Sequence, residues 1–129
     1  MRNMFLIFAG GGLGAVARYG ASKAINALAP YALPLGTLFV NVSGSFVLGL
    51  VIALVDLSML SEQARLFIAV GFLGAYTTFS TFAVESIGLA KEGALTTALW
   101  NFILNNALAG GAVLLGFAAA QALGRGRAI

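Results

Sequence analysis

The sequence predicts an all-α, polytopic membrane protein with four transmembrane helices, the third of them broken. Three observations carry this expectation. Of 129 residues, 60% are hydrophobic and only 9% charged, and mean hydropathy is +1.00. A soluble domain carries about 25% charged residues. The apolar residues gather into four long stretches with short connections between them. Within the third, Gly71–Glu85 has a composition that no ordinary spanning helix needs. Thr77, Thr78, Ser80 and Thr81 lie between aromatics, behind Gly71 and Gly74. Gly lowers helix propensity, and Ser and Thr compete for nearby backbone groups. Backbone freed at membrane depth is tolerated only where protein or a water-filled cavity satisfies it. A break there points to an ion site. We expect one domain over residues 1–129, with spans at about 4–28, 35–55, 66–90 and 94–123 and no soluble module.

Composition excludes several function classes. There is no Cys and no His. Disulfides, the usual zinc or copper ligands, and Ser-His-Asp or Cys-His triads are therefore unavailable. No catalytic constellation remains, so an enzyme is not expected. Net charge is +3 and the basic residues are scattered, whereas a nucleic-acid surface needs a basic patch or stripe.

The first span begins near Met4, is uncharged through Ala17, then meets Arg18 and Lys23. Arg2, the apolar run and Ala15-Val16-Ala17 mimic a signal peptide. Three further spans follow, and the segment is Gly-rich like a packed helix, so we expect it to be retained. Gly10, Gly12 and Ala15 formally match a dinucleotide fingerprint. That fingerprint needs an acid about 20 residues later, and the first acid here is Asp56. Small residues that let helices approach closely are the better explanation. Arg18 has two readings: a snorkelling interfacial anchor, or a charge that concentrates anions at a pore mouth.

Pro30 and Pro34 bracket a connection. The second span, Leu35–Val55, has 21 residues without a charge, enough for a hydrocarbon core of about 30 Å. Thr37, Asn41 and Ser45 recur every four residues and share a helix face. A membrane-buried Asn is costly without a partner. For Asn41 we favour a polar path over simple interhelical glue. Ser61, followed by Glu62-Gln63-Ala64, marks the start of the next helix. In the third span, Phe79 and Phe82 are three apart and face the same way in a helix. Two such rings alone are usually packing. Thr77, Thr81 and Glu85 fall on another stripe; Glu85 is either an interfacial charge or the close of a polar path. Lys91-Glu92-Gly93 is a turn. The fourth span lies within Gly93–Gly124, 32 uncharged residues, room for a tilted or overhanging helix. Thr97, Asn101 and Asn105 repeat the four-residue spacing, joined by Asn106, and Arg125 and Arg127 end the chain in water.

Four spans place both termini on one side. That side and the second loop carry Arg2, Arg65, Arg125 and Arg127. The opposite side carries Lys23, Lys91 and, if it reaches, Arg18. This is a weak positive-inside bias, compatible with insertion in both directions and antiparallel self-pairing.

Gly71–Phe82, with Gly36–Asn41 upstream and Gly14–Arg18 in the first span, resembles the Fluc (CrcB) fluoride channels. The resemblance covers nearly the whole chain, with the motifs in the expected order. It implies an antiparallel, dual-topology homodimer in the cytoplasmic (inner) membrane with two fluoride pores. It implies a sodium ion at the dimer centre, structural and not transported, on the backbone carbonyls of Gly74 and Thr77. It places fluoride along Phe79 and Phe82 and past Asn41, with Arg18 at the vestibule and Glu85 as the span-three glutamate. Ser80 and Thr81 belong to the same polar path. Asn101 and Asn105 stand where relatives often have Tyr or Ser, and Ala75 where many have a second Gly. Membrane lipid is the surrounding partner and no nucleic acid is expected. The physics is consistent: a pore for a strongly hydrated anion must offer amide N–H groups, hydroxyls and aromatic edges, yet bind weakly enough to release. The alternative is a proton-coupled small multidrug transporter. It needs a carboxylate at depth in the first span, and that span has none. A non-conducting assembly subunit is a third reading.

Overall fold

A computed structural model describes residues 1–29 and 31–126. Pro30 and Arg127 lie outside the described residues. Every regular element among the described residues is helical. These are α1 (Arg2–Leu28), α2 (Leu35–Asp56), α3 (Glu62–Arg65), a π-helical segment (Leu66–Leu73), α4 (Gly74–Tyr76), α5 (Phe79–Lys91) and α6 (Leu95–Arg125). Together α3 through α5 make one crossing, so four helices are long and apolar enough to span a membrane.

The packing is driven by small residues, as expected where apolar lipid offers helices no hydrophobic reason to associate. Gly10 and Gly14 are buried on α1. A Cβ on Gly14 would collide with the Phe72 carbonyl, and one on Gly10 with the Phe67 carbonyl. On the opposing surface, a Cβ on Gly71 would lie 2.8 Å from the Ile7 carbonyl. Backbone therefore meets backbone between α1 and the π segment. The most extensive contact joins α2 to α6, and there Gly49 lies against Val113 and Gly116 against Phe46 and Leu50 in the same way. The Asn41-bearing face of α2 is thus held against the asparagines of α6.

The third crossing starts at Ser61, whose Oγ accepts from the Ala64 N–H at 3.2 Å. Arg65 closes this turn with an ion pair to Glu62 of 2.6 Å. The chain then widens into the π segment and stops being helical at Thr77 and Thr78. Thr77 has φ −84 and ψ 158; Thr78 has φ −153 and ψ 122. Both are extended, and helix resumes at Phe79. The interruption expected from Gly71–Glu85 is present. It spans two residues and lies immediately after Tyr76. The π segment before it was not anticipated. One consequence departs from simple helical spacing: the break takes Thr77 out of register with Thr81 and Glu85. After α5, Gly93 with φ 83 turns the chain into α6, a conformation that suits glycine.

Candidate functional site

The break creates a backbone problem that α2 solves. Asn41, buried on α2, faces Thr78 with its side-chain amide. The Thr78 N–H donates to Asn41 Oδ1 at 2.8 Å, and Asn41 Nδ2 donates back to the Thr78 carbonyl at 3.0 Å. The Asn41 oxygen thus replaces the helical acceptor that the Thr78 N–H has lost, and its amide adds a bond to the carbonyl that opens α5. Thr78 caps the resuming helix: its Oγ1 accepts from the Thr81 N–H at 3.2 Å and donates to Thr81 Oγ1 at 3.0 Å. Ser80 Oγ lies 3.3 Å from the same hydroxyl.

These bonds change what the carbonyls upstream can do. In an unbroken helix the Thr78 N–H serves the Gly74 carbonyl and the Thr81 N–H serves the Thr77 carbonyl. Here the first goes to Asn41 and the second to the Thr78 hydroxyl. Gly74 and Thr77 therefore carry carbonyl oxygens released from helical duty. Such oxygens are the ligand type a hard cation takes. Two such carbonyl oxygens are chemically compatible with a sodium ion.

Two cavities meet at Thr78. One, of about 240 Å³, is lined by Asn41, Ser45, Thr77, Thr78, Phe79, Phe82, Asn105, Asn106 and Ala109. The Phe79 and Phe82 rings stand edge-on, 5.0 Å between centroids. The other, of about 370 Å³, is lined by Arg18, Tyr19, Ser22, Lys23 and Asn26 of α1, with Thr37, Thr78, Thr81 and Glu85. Lys23 Nζ sits 5.8 Å from the Tyr19 ring centroid. Thr37 Oγ1 donates to Glu85 Oε1 at 2.7 Å, while Glu85 Oε2 is buried without a hydrogen-bond partner. Two cations and a carboxylate thus converge on one face of the break, and aromatic edges and amides on the other.

The expected site residues divide accordingly. Asn41, Phe79, Phe82 and Asn105 come together in the first cavity; Arg18, Thr81 and Glu85 come together in the second. Asn101 and Ser80 line neither. Asn101 is 0% exposed and lies behind Asn105, while Ser80 is exposed beside Thr78. Lining residues outside the expected set include Thr78, Thr37, Ser45 and Asn106, and on α1 Tyr19, Ser22, Lys23 and Asn26. The four-residue polar spacing on α2 already pointed to Thr37 and Ser45. The role of Thr78 depends on backbone angles that no local signal specifies.

Residues 5–117 match the family described as CrcB-like protein, camphor resistance (CrcB). Similar proteins include the fluoride-specific ion channel FluC of Shewanella amazonensis, 45% identical over 116 residues, covering 90% of this chain and 94% of that one. FluC of Campylobacter jejuni strain RM1221 is 40% identical over 117 residues, covering 91% and 96%. FluC of Idiomarina loihiensis is 44% identical over 103 residues, covering 80% of each. An ion channel is not an enzyme class. The family match, these relatives and four membrane-length helices lead to one statement: the chain is a multi-pass cell-membrane protein and belongs to the CrcB family.

Proposed function

We propose that this chain is the subunit of a passive, fluoride-selective channel that lets fluoride leave the cytoplasm and relieves its toxicity. The observation that carries the reading is the break at Thr77–Thr78, clasped by Asn41 and bordered on each side by a polar cavity. Relatives at 40–45% identity named as fluoride-specific channels support it.

Arg18 and Lys23 raise the local anion concentration in the vestibule, as like charges lining a cleft do. Fluoride then loses water to the hydroxyls around Thr78 and Thr81 and passes Glu85 and Thr37. It continues along the electropositive edges of Phe79 and Phe82, past the amides of Asn41 and Asn105. None of the groups in the aromatic cavity is a full cation, so the anion is not trapped. Ser80 supports the path from the Thr78 hydroxyl, and Asn101 supports it from behind Asn105.

The subunit pairs with an inverted copy, giving an antiparallel homodimer. The Gly74 and Thr77 carbonyls of both copies would hold one structural sodium ion. When bound, that ion neutralises converging carbonyl dipoles and ties two broken helices together. The released state of these oxygens is what supports the assignment. The α1 helix carries no carboxylate, which leaves a proton-coupled multidrug transporter without its coupling site.

The test is a fluoride-electrode trace from liposomes loaded with fluoride and reconstituted with purified protein. We expect fluoride efflux and no chloride efflux. Silence toward fluoride from correctly inserted protein would reject the channel.

A further inference from the structure

The amides of α6 do something that the cavities alone do not reveal. Asn41 Nδ2 spends its second proton on Asn105 Oδ1 at 2.8 Å. Asn105 Nδ2 donates to the Asn101 carbonyl and to Asn101 Oδ1, both at 3.0 Å. Asn101 Nδ2 donates to Ser86 Oγ at 2.9 Å and to the Phe82 carbonyl at 3.5 Å. Ser86 Oγ donates to the same Phe82 carbonyl at 2.8 Å. Donors thus run one way, from α2 through α6 to α5.

The polarity of this chain is pinned at both ends by atoms that cannot change role. At the α2 end the Thr78 N–H can only donate and the Thr78 carbonyl only accept. At the far end the Phe82 carbonyl only accepts. Inverting the Asn105 amide would set its nitrogen against Asn41 Nδ2 and its oxygen against two oxygens of Asn101. Inverting Asn101 would set oxygen against the Phe82 carbonyl. Only one arrangement satisfies every member, and a fully satisfied buried network specifies a single geometry.

We propose that Asn105, Asn101 and Ser86 form a positioning relay. It locks the Asn41 amide onto the helix break and ties the Phe82 turn of α5 to the same scaffold, so that amide and ring keep a fixed spacing along the ion path. Asn101 acts without touching the ion, since it is fully buried and lines neither cavity. Asn105 acts through Asn41, although it also borders the cavity. The inference rests on the fluoride-channel reading for its consequence, but the relay itself is a property of the fold.

The experiment compares Asn101→Leu, Asn105→Leu and the double variant with the unmodified protein, in full-length chains shown by size exclusion to keep the native oligomer. Fluoride efflux is measured over a range of fluoride concentrations. Each single variant is expected to lose at least tenfold in maximal rate. The double variant is expected to match the worse single within about twofold, because links in series are not additive. Asn101→Leu running within twofold of the unmodified rate overturns the relay, and so do losses that multiply in the double variant. Should the Leu variants fail to assemble, Ser86→Ala removes the last link with minimal volume change and is expected to slow efflux about threefold; an unchanged rate overturns the relay.

If the unmodified protein passes no fluoride, the channel reading fails. The relay is then judged on hydrogen exchange at the Thr78 amide. The Asn105→Leu variant, or Ser86→Ala if Asn105→Leu does not assemble, is expected to exchange that proton at least tenfold faster than the unmodified protein. Equal exchange overturns the relay.

Discussion

Phe79 and Phe82 stand edge to face, but their surroundings differ. Phe82 is 3% exposed and also meets the Phe102 ring at 5.9 Å between centroids, whereas Phe79 is 72% exposed on the single chain. Replacing Phe82 by Ile removes ring contacts in a packed site, and we expect a loss of about 1–2 kcal/mol of stability. Phe79→Ile should leave subunit stability within about 0.5 kcal/mol, as for a surface change. Both should lower the fluoride rate, because each removes an electropositive edge from the cavity. Thermal unfolding in detergent, set beside efflux from liposomes, separates the two effects. A Phe79→Ile variant with unchanged efflux would return that ring to packing alone.

Asn41 shows why magnitudes matter here. An interhelical side-chain hydrogen bond inside a membrane is worth only about 0.6 kcal/mol on average. An unsatisfied backbone group at that depth costs several kcal/mol. Its clasp on the Thr78 N–H and carbonyl therefore outweighs any glue between helices. The expectation that Asn41 belongs to a polar path and the observation that it repairs the break are compatible. Its oxygen and one proton hold the Thr78 backbone, its second proton holds Asn105, and the residue borders the cavity all the same.

At the scale of elements, the third crossing depends on α1. The Gly14 Cα is packed so tightly on the Phe72 carbonyl that a methyl group cannot fit without backbone movement. Gly14→Ala should therefore destabilise the fold by about 1–3 kcal/mol, the range for overpacking a close contact. Gly12→Ala, with open space around the added carbon, should be neutral or slightly stabilising through helix propensity. Melting temperatures of the two variants check this contrast; equal behaviour would remove the close approach. The glycine surface was readable from Gly10-xxx-Gly14, since spacing alone puts those residues on one face. The π segment was not. Leu66–Leu73 is apolar throughout, so no hydrophobic period distinguishes a widened turn from an ordinary one. The break after Tyr76 was signalled by hydroxyl and glycine content, but its two residues were not, because the acceptor that the Thr78 N–H finds is Asn41 on a different helix.

At the scale of the molecule, the charge distribution gives only a weak positive-inside bias. Arg2, Arg65, Arg125 and Arg127 are expected to oppose Lys23, Lys91 and, if it reaches that interface, Arg18 across the four spans. If the dimer is antiparallel, as proposed, the two orientations must be equally populated. The chain has no cysteine, so Asn3→Cys introduces a unique probe. We expect a membrane-impermeant thiol reagent applied to one side of sealed vesicles to label about half the molecules, consistent with the weak loop bias. Complete labelling, or none, would exclude dual topology.

The amino-acid order by itself determined a membrane solvent, four helical crossings, the small-residue faces and the family. The first three follow from composition or local spacing and the family from a resemblance of motifs, all of which the chain carries without folding. Tertiary structure alone decided how the polar groups are spent. Asn41, the Thr78–Ser86 segment and the Asn101–Asn105 pair lie far apart in sequence, and hydrogen bonds between distant donors and acceptors have no local signature. Only the packing of α2 on α6, with α5 beside it, sets those amides end to end and frees the carbonyls of Gly74 and Thr77.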